Sequence, residues 1–129
     1  MTVFLDTDVL VDCLRGTASA RRWLEASAGE IFRVPGSVAM ELLMGCQKHT
    51  DLQRTQKFLG AFELVWPEAT EFAKAYELLA THRLTSGLSI PDCLIASMAL
   101  SRSARLYTFN LKHFRVVEGL DAQEPYSRV

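Results

Sequence analysis

Cysteine is scarce in this chain and never paired in sequence. Cys13, Cys46 and Cys93 are odd in number, far apart and set among apolar neighbours. That pattern argues against a disulfide framework and points to buried thiols in a reducing compartment. No Cys-x-x-Cys or His-x-x-x-His spacing occurs, so nothing supports a zinc site. Gly-x-Gly-x-x-Gly, the P-loop pattern and the Gly-x-Ser-x-Gly elbow are missing too, which leaves nucleotide-phosphate cradling and serine-hydrolase chemistry without a motif. Neither sign of charge is in excess. Fourteen Lys and Arg oppose 15 Asp and Glu for a net charge of -1, so no overall field draws nucleic acid, and any such contact needs a local basic patch or a metal. No apolar run reaches the roughly 20 residues that span a bilayer. Asp6, Asp8 and Asp12 interrupt the apolar start where a signal peptide would need continuity. A cytoplasmic protein with no membrane association is expected.

What is present is apolar substance. With 129 residues and 49% hydrophobic content, the chain can bury a sizeable core as one domain over 1–129, and disorder is not expected. Val3-Phe4-Leu5 reads as a strand covered on both faces. A helix follows with Leu10, Val11 and Leu14 inward and Gly16 as its stop, and a second covers 19–28. A strand over 31–34 turns at Pro35-Gly36 into a helix capped by Ser37 and running to about Cys46. A helix over 52–59 and a strand over 63–65 come next. Pro67 opens a longer helix with Phe72, Tyr76, Leu79 and Ala80 at inward spacing, closed by Ser86-Gly87. The helix carrying Asp92 runs to about Ser101, a strand covers 105–108, and Val116-Val117 suggests a last one. Strands alternating with helices predict an α/β domain whose mainly parallel central sheet is flanked by helices.

Three carboxylates sit where a purely structural role does not want them. Asp6 ends the first strand, Glu41 lies in the apolar stretch 38–44 and Asp92 in the apolar stretch 88–96, with no Lys or Arg within four positions of any of them. A buried lone carboxylate costs several kcal/mol or more, so such groups are paired, neutralised or metal-bound. Sites in parallel sheets form beyond the carboxyl ends of the strands. If Asp6, Glu41 and Asp92 meet there, their repulsion calls for a cation, and hard oxygen ligands suit Mg²⁺ or Mn²⁺. Each has a plainer role as well. Asp6 can cap the next helix for about 1 kcal/mol, and Asp92 in a first turn gains about 0.3–1 kcal/mol from the helix dipole. Glu41 is harder to explain, because the capping-box position after Ser37 is Met40. Asp8 and Asp12 read as solvent-facing or capping, Asn110 as a turn residue and His113 as a packing histidine.

In order, Asp6-Thr7-Asp8-Val9-Leu10-Val11-Asp12, then Glu41, then Pro91-Asp92-Cys93-Leu94-Ile95-Ala96, then Thr108-Phe109-Asn110-Leu111-Lys112-His113-Phe114 resembles the PIN-domain family, and within it the VapC-type toxins of bacterial toxin–antitoxin pairs. The resemblance runs over nearly the whole chain. It implies a metal-dependent endoribonuclease kept inactive by a cognate antitoxin, a homodimer, and Mg²⁺ or Mn²⁺ held by Asp6, Glu41 and Asp92. The family often supplies another acid in the fourth motif. Asn110 and His113 stand there instead, so Thr108 and Asn110 are expected to orient water or a scissile phosphate. RNA would be held by cations such as Arg15, Arg21, Arg22, Lys48, Lys112 and Arg115.

Two other readings stay open. Val3-Phe4-Leu5-Asp6-Thr7-Asp8 also looks like the first motif of the haloacid-dehalogenase phosphatases, although Glu41 then has no role and a later acidic pair is missing. A PIN fold that binds without cleaving is the second, kept open by Asn110.

Overall fold

A computed structural model describes residues 2–128 of the chain. The elements run β1 (Thr2–Leu5), α1 (Thr7–Arg15), α2 (Ala18–Ala26), β2 (Ile31–Pro35), α3 (Gly36–Met44), α4 (His49–Leu59), β3 (Glu63–Val65), α5 (Ala69–Ser86), α6 (Ile90–Ser101), β4 (Arg105–Tyr107), α7 (Leu111–Phe114) and β5 (Ala122–Gln123). Strand order is β3-β2-β1-β4-β5 and every pairing is parallel. This is the expected α/β architecture.

The central strand is short, and after Thr2 it is apolar and covered by helices on both faces: Val3, Phe4 and Leu5 have no exposed surface. Leu10, Val34, Val38, Leu88, Ile95, Met98 and Leu106 complete the same core. From β1 the chain passes to β2 on one side, and after β3 it returns to β4 on the other. The strand order therefore reverses between β1 and β4, the place where a crevice opens at the carboxyl ends of a doubly wound sheet. Leu5 pairs with Tyr107, and the Asp6 N–H donates to the Tyr107 carbonyl at 3.0 Å, so Asp6 and Thr108 leave the sheet side by side.

Three expectations need correction. No strand forms at Val116-Val117. Val117 is buried in a turn, its N–H on the Phe114 carbonyl, and the edge strand is Ala122–Gln123 beside Leu106 and Tyr107. Ser37 does not cap α3. That helix starts one residue earlier at Gly36, where a Cβ would fall 2.1 Å from Cε3 of Trp66, and Ser37 Oγ is buried without a hydrogen-bond partner among the described residues. On α5 the packed face carries Glu71, Ala75 and Leu78, while Phe72, Tyr76 and Ala80 face outward.

Candidate functional site

Asp6 follows β1 directly and caps α1. Its Oδ1 accepts from the Thr7 N–H at 2.8 Å, and its Oδ2 accepts from the Thr108 hydroxyl at 2.8 Å. Thr108, fully buried just past β4, also accepts from the Asn110 N–H at 2.9 Å. One hydroxyl thus joins the ends of the two central strands and fixes the Asp6 carboxylate across the switch point. The capping and functional roles of Asp6 are compatible because each uses a different oxygen.

Asp92 arrives from the other side. In the first turn of α6 it forms a capping box with Ser89: its N–H donates to Ser89 Oγ at 3.2 Å, and its Oδ2 accepts from the Ser89 N–H at 3.3 Å. His113 Nδ1 lies 3.8 Å from Asp92 Oδ2 and 2.9 Å from Asn110 Nδ2, so the fourth motif reaches the same place through α7. Glu41 extends from α3, where Thr7 Oγ1 donates to its Oε2 at 3.3 Å. The apolar stretch 38–44, where a buried Glu41 was expected, is buried on one side only. Val38, Ala39 and Leu42 pack inward while Met40, Glu41 and Met44 are exposed.

These elements enclose a crevice of about 450 Å³ lined by Asp6, Asp8, Glu41, Asp92, Asn110 and Arg128, among others. Four of the five site residues expected from sequence line it, and Thr108 lies beneath, bonded to Asp6. Asp8 was expected to face solvent or cap. It is half-buried, Oδ2 accepts from the Phe109 N–H at 3.0 Å, and Oδ1 is buried without a hydrogen-bond partner among the described residues. Arg128 is the other arrival that sequence reasoning missed. None of Arg15, Arg21, Arg22, Lys48, Lys112 or Arg115 lines this crevice.

The electrostatics are those of crowded acids. Burial pushes the Asp6 carboxyl above the usual carboxylate range, with the Thr108 and Thr7 bonds pulling down and the charge of Asp92 pushing up. Asp8 is pushed up to about 6, first by burial and then by Asp6. Glu41 is raised by partial desolvation and by the charges of Asp6 and Asp92, against the Thr7 bond. Among the described residues no three Asp, Glu, His or Cys side chains are grouped tightly enough to hold a metal ion as they stand. Like charges keep apart, and separate donors hold them: Thr108 on Asp6, Thr7 on Glu41, Ser89 on Asp92. The donor chemistry fits a hard divalent cation, since four carboxylates line one crevice and such a charge would relieve their mutual repulsion.

Residues 3–120 match the PIN domain family. Ribonuclease VapC19 of Mycobacterium tuberculosis is 33% identical, with 95% of this chain and 98% of that protein aligned. The crystal structure of VapBC2 from Rickettsia felis, bound to a DNA fragment from their promoter, superposes with a TM-score of 0.81 at 26% identity over 96% of this chain and 98% of that one. A toxin-antitoxin complex from Klebsiella pneumoniae gives 0.78 at 26% identity over 97% and 98%. The likeness to the phosphatase motif at 3–8 gains nothing from these matches. The family match over 3–120, the relative at 33% identity and the superpositions over nearly the whole chain agree, and the chain belongs to the PIN domain family, in its VapC-type branch.

Proposed function

We propose that the chain is a metal-dependent endoribonuclease toxin, held inactive by a cognate antitoxin. One observation carries this: Asp6, Glu41 and Asp92 come from three separate elements to one crevice at the switch point of the sheet, where Asp6 and Glu41 are raised in pKa by burial and neighbouring negative charge. The relatives named ribonuclease VapC support the substrate class. Asp6, Glu41 and Asp92 would hold Mg²⁺ or Mn²⁺. When bound, such an ion lowers the pKa of an attacking water and offsets charge on the phosphate oxygens. The chain's own residues do the rest. Thr108 holds the Asp6 carboxylate in place, Asn110 presents its amide at the crevice wall with His113 Nδ1 behind it at 2.9 Å, and a crevice carboxylate takes the proton of the attacking water.

The antitoxin reading draws support from the Klebsiella complex and from a groove of about 680 Å³ between α1, α3 and α4. Val11, Leu14 and Leu42 line it together with Thr7 and Glu41. An apolar segment seated there would reach the acidic crevice, since the two share Thr7 and Glu41. Homodimer formation is supported by an apolar face around Met40, Trp66 and Phe72. A cytoplasmic setting is supported by three free thiols, Cys13, Cys46 and Cys93.

The test is incubation of purified, antitoxin-free protein with a mixed cellular RNA pool, in Mg²⁺ or Mn²⁺ and in EDTA, beside Asp6→Asn. Discrete fragments that need the metal and fall by about 100-fold or more in the variant are expected. Cleavage that survives Asp6→Asn would defeat the assignment, and metal-induced thermal stabilisation without turnover on any RNA would favour the non-cleaving PIN fold.

A further inference from the structure

Among the described residues, Arg128 is the one cation that lines the acidic crevice, and it comes from the segment after β5 rather than from a helix. Three contacts set its position. Nε donates to Asp12 Oδ2 at 3.0 Å, Nη2 donates to the Asp8 backbone carbonyl at 3.2 Å, and the guanidinium carbon lies 3.9 Å from the centre of the Phe109 ring. The anchors are themselves fixed. The Tyr126 hydroxyl donates to the same Asp12 oxygen at 2.9 Å, and the Tyr126 ring packs against Phe109 and Trp23 at centroid separations of 5.1 and 5.8 Å.

Stability alone does not account for this arrangement. The Arg128 side chain is 47% exposed, and an exposed ion pair contributes little to folding. A guanidinium carries five N–H donors, and the bonds to Asp12 and to the Asp8 carbonyl use two of them. The other three have no partner among the described residues, and Arg128 lines a crevice whose remaining charges are Asp6, Asp8, Glu41 and Asp92. A polyanion entering such a crevice meets repulsion everywhere except at this fork. Planar forks of this kind match phosphate oxygens in geometry as well as charge.

We propose that Arg128 is a substrate-binding residue that grips a backbone phosphate of single-stranded RNA beside the scissile one, so that its place on the Asp12–Tyr126–Phe109 platform aligns the strand over the carboxylates. This rests on the nuclease reading above. It extends that reading to a residue outside the four motifs.

The test compares wild type with Arg128→Gln and Arg128→Lys. Binding of a single-stranded RNA is followed by fluorescence anisotropy between 0.05 and about 0.2 M salt, with Ca²⁺ replacing Mg²⁺ to keep the RNA intact, and cleavage is followed separately in Mg²⁺. Arg128→Gln is expected to weaken binding about tenfold and to reduce the slope of log affinity against log salt by about 0.7, the value of one single-strand phosphate contact. The loss falls on KM more than on kcat. Arg128→Lys restores the slope, because the charge remains, but only part of the affinity, because the fork is lost. Unfolding midpoints stay close to wild type in both. An unchanged slope and affinity in Arg128→Gln overturns the assignment. So does a loss of affinity with an unchanged slope and a lowered unfolding midpoint, which would leave Arg128 as a tether for the tail. Wild-type RNA binding whose slope depends on Arg128, without cleavage, overturns the nuclease reading while this assignment stands.

Discussion

Thr108 shows how much one side chain can hold together. It is fully buried, its hydroxyl donates to Asp6 and accepts from the Asn110 N–H, and it thereby links the first motif to the fourth across 102 residues of chain. Thr108→Val keeps the shape and removes both bonds. A carboxylate oxygen and a backbone N–H then lose their partners, at a cost of about 1–3 kcal/mol, which a urea titration reads as a lower midpoint. Cleavage is expected to fall about tenfold, because Asp6 loses the contact that fixes its orientation. Wild-type cleavage and an unchanged midpoint together would show that Thr108 fixes nothing. The sequence showed Asp6, Glu41, Asp92 and Asn110 because each interrupts an apolar setting or closes an element. Asp8 and Arg128 were not visible in that way. Asp8 looks like any first-turn acid until the Phe109 N–H is found on it, and Arg128 stands in an unpatterned polar tail whose partners, Asp12 and Asp8, lie 116 and 120 positions away.

Among the elements, α5 and α6 are locked by a charge that hydrophobic spacing cannot anticipate. Glu71 is only 3% exposed. It accepts from Arg102 Nε and Nη2, each at 2.9 Å, and from the Ser101 hydroxyl, while it closes the α5 capping box on the Glu68 N–H at 2.8 Å. These bonds, that of Arg102 foremost, hold its carboxyl down at about 2 against an ordinary 4.5. A depressed acid stabilises the fold above its unfolded value and loses that contribution as pH falls. Stability is therefore expected to drop between about pH 4.5 and 2 through this group, and Glu71→Gln should flatten that step. At neutral pH the variant should lose about 1.5–3 kcal/mol, the worth of hydrogen bonds to a charged group; an unaltered acid limb in the variant would assign the step elsewhere. The same contact explains why the inward face of α5 was misread. Apolar spacing favoured Phe72, Tyr76 and Ala80, but burial of Glu71 requires Arg102, 31 residues later, and pairing at that distance leaves no mark on local periodicity. The central strands, by contrast, were legible because unbroken apolar runs have no solvent face to offer. The edge strand at Ala122–Gln123 is two residues long and sits among polar neighbours, too short for any alternation to register.

At the scale of the whole molecule, the apolar residues that α5 turns outward belong to a larger surface. Met40 and Met44 of α3, Trp66 just before α5 and Phe72 of α5 are all more than half exposed, as is Tyr76, one turn along α5 from Phe72. Several line a groove of about 500 Å³ with Glu41 at its edge. Contiguous apolar surface of this kind on a chain with net charge -1 favours association, and a symmetric pair of copies is the arrangement in which one patch covers itself. Glu41 also lines the acidic crevice and the groove between α1, α3 and α4, so α3 stands where all three surfaces meet. The expectation is a dimer at micromolar concentration that Tyr76→Glu converts to monomer, with an unfolding transition still cooperative because Tyr76 is 75% exposed and contributes little to the core. Sedimentation velocity over a concentration series separates the outcomes. A wild-type chain that sediments as a monomer across the series would overturn the pairing of two copies through this face. If the dimer holds, the Tyr76→Glu monomer is also expected to cleave RNA more slowly, because the helix that carries Glu41 loses the support of the second copy on its exposed side.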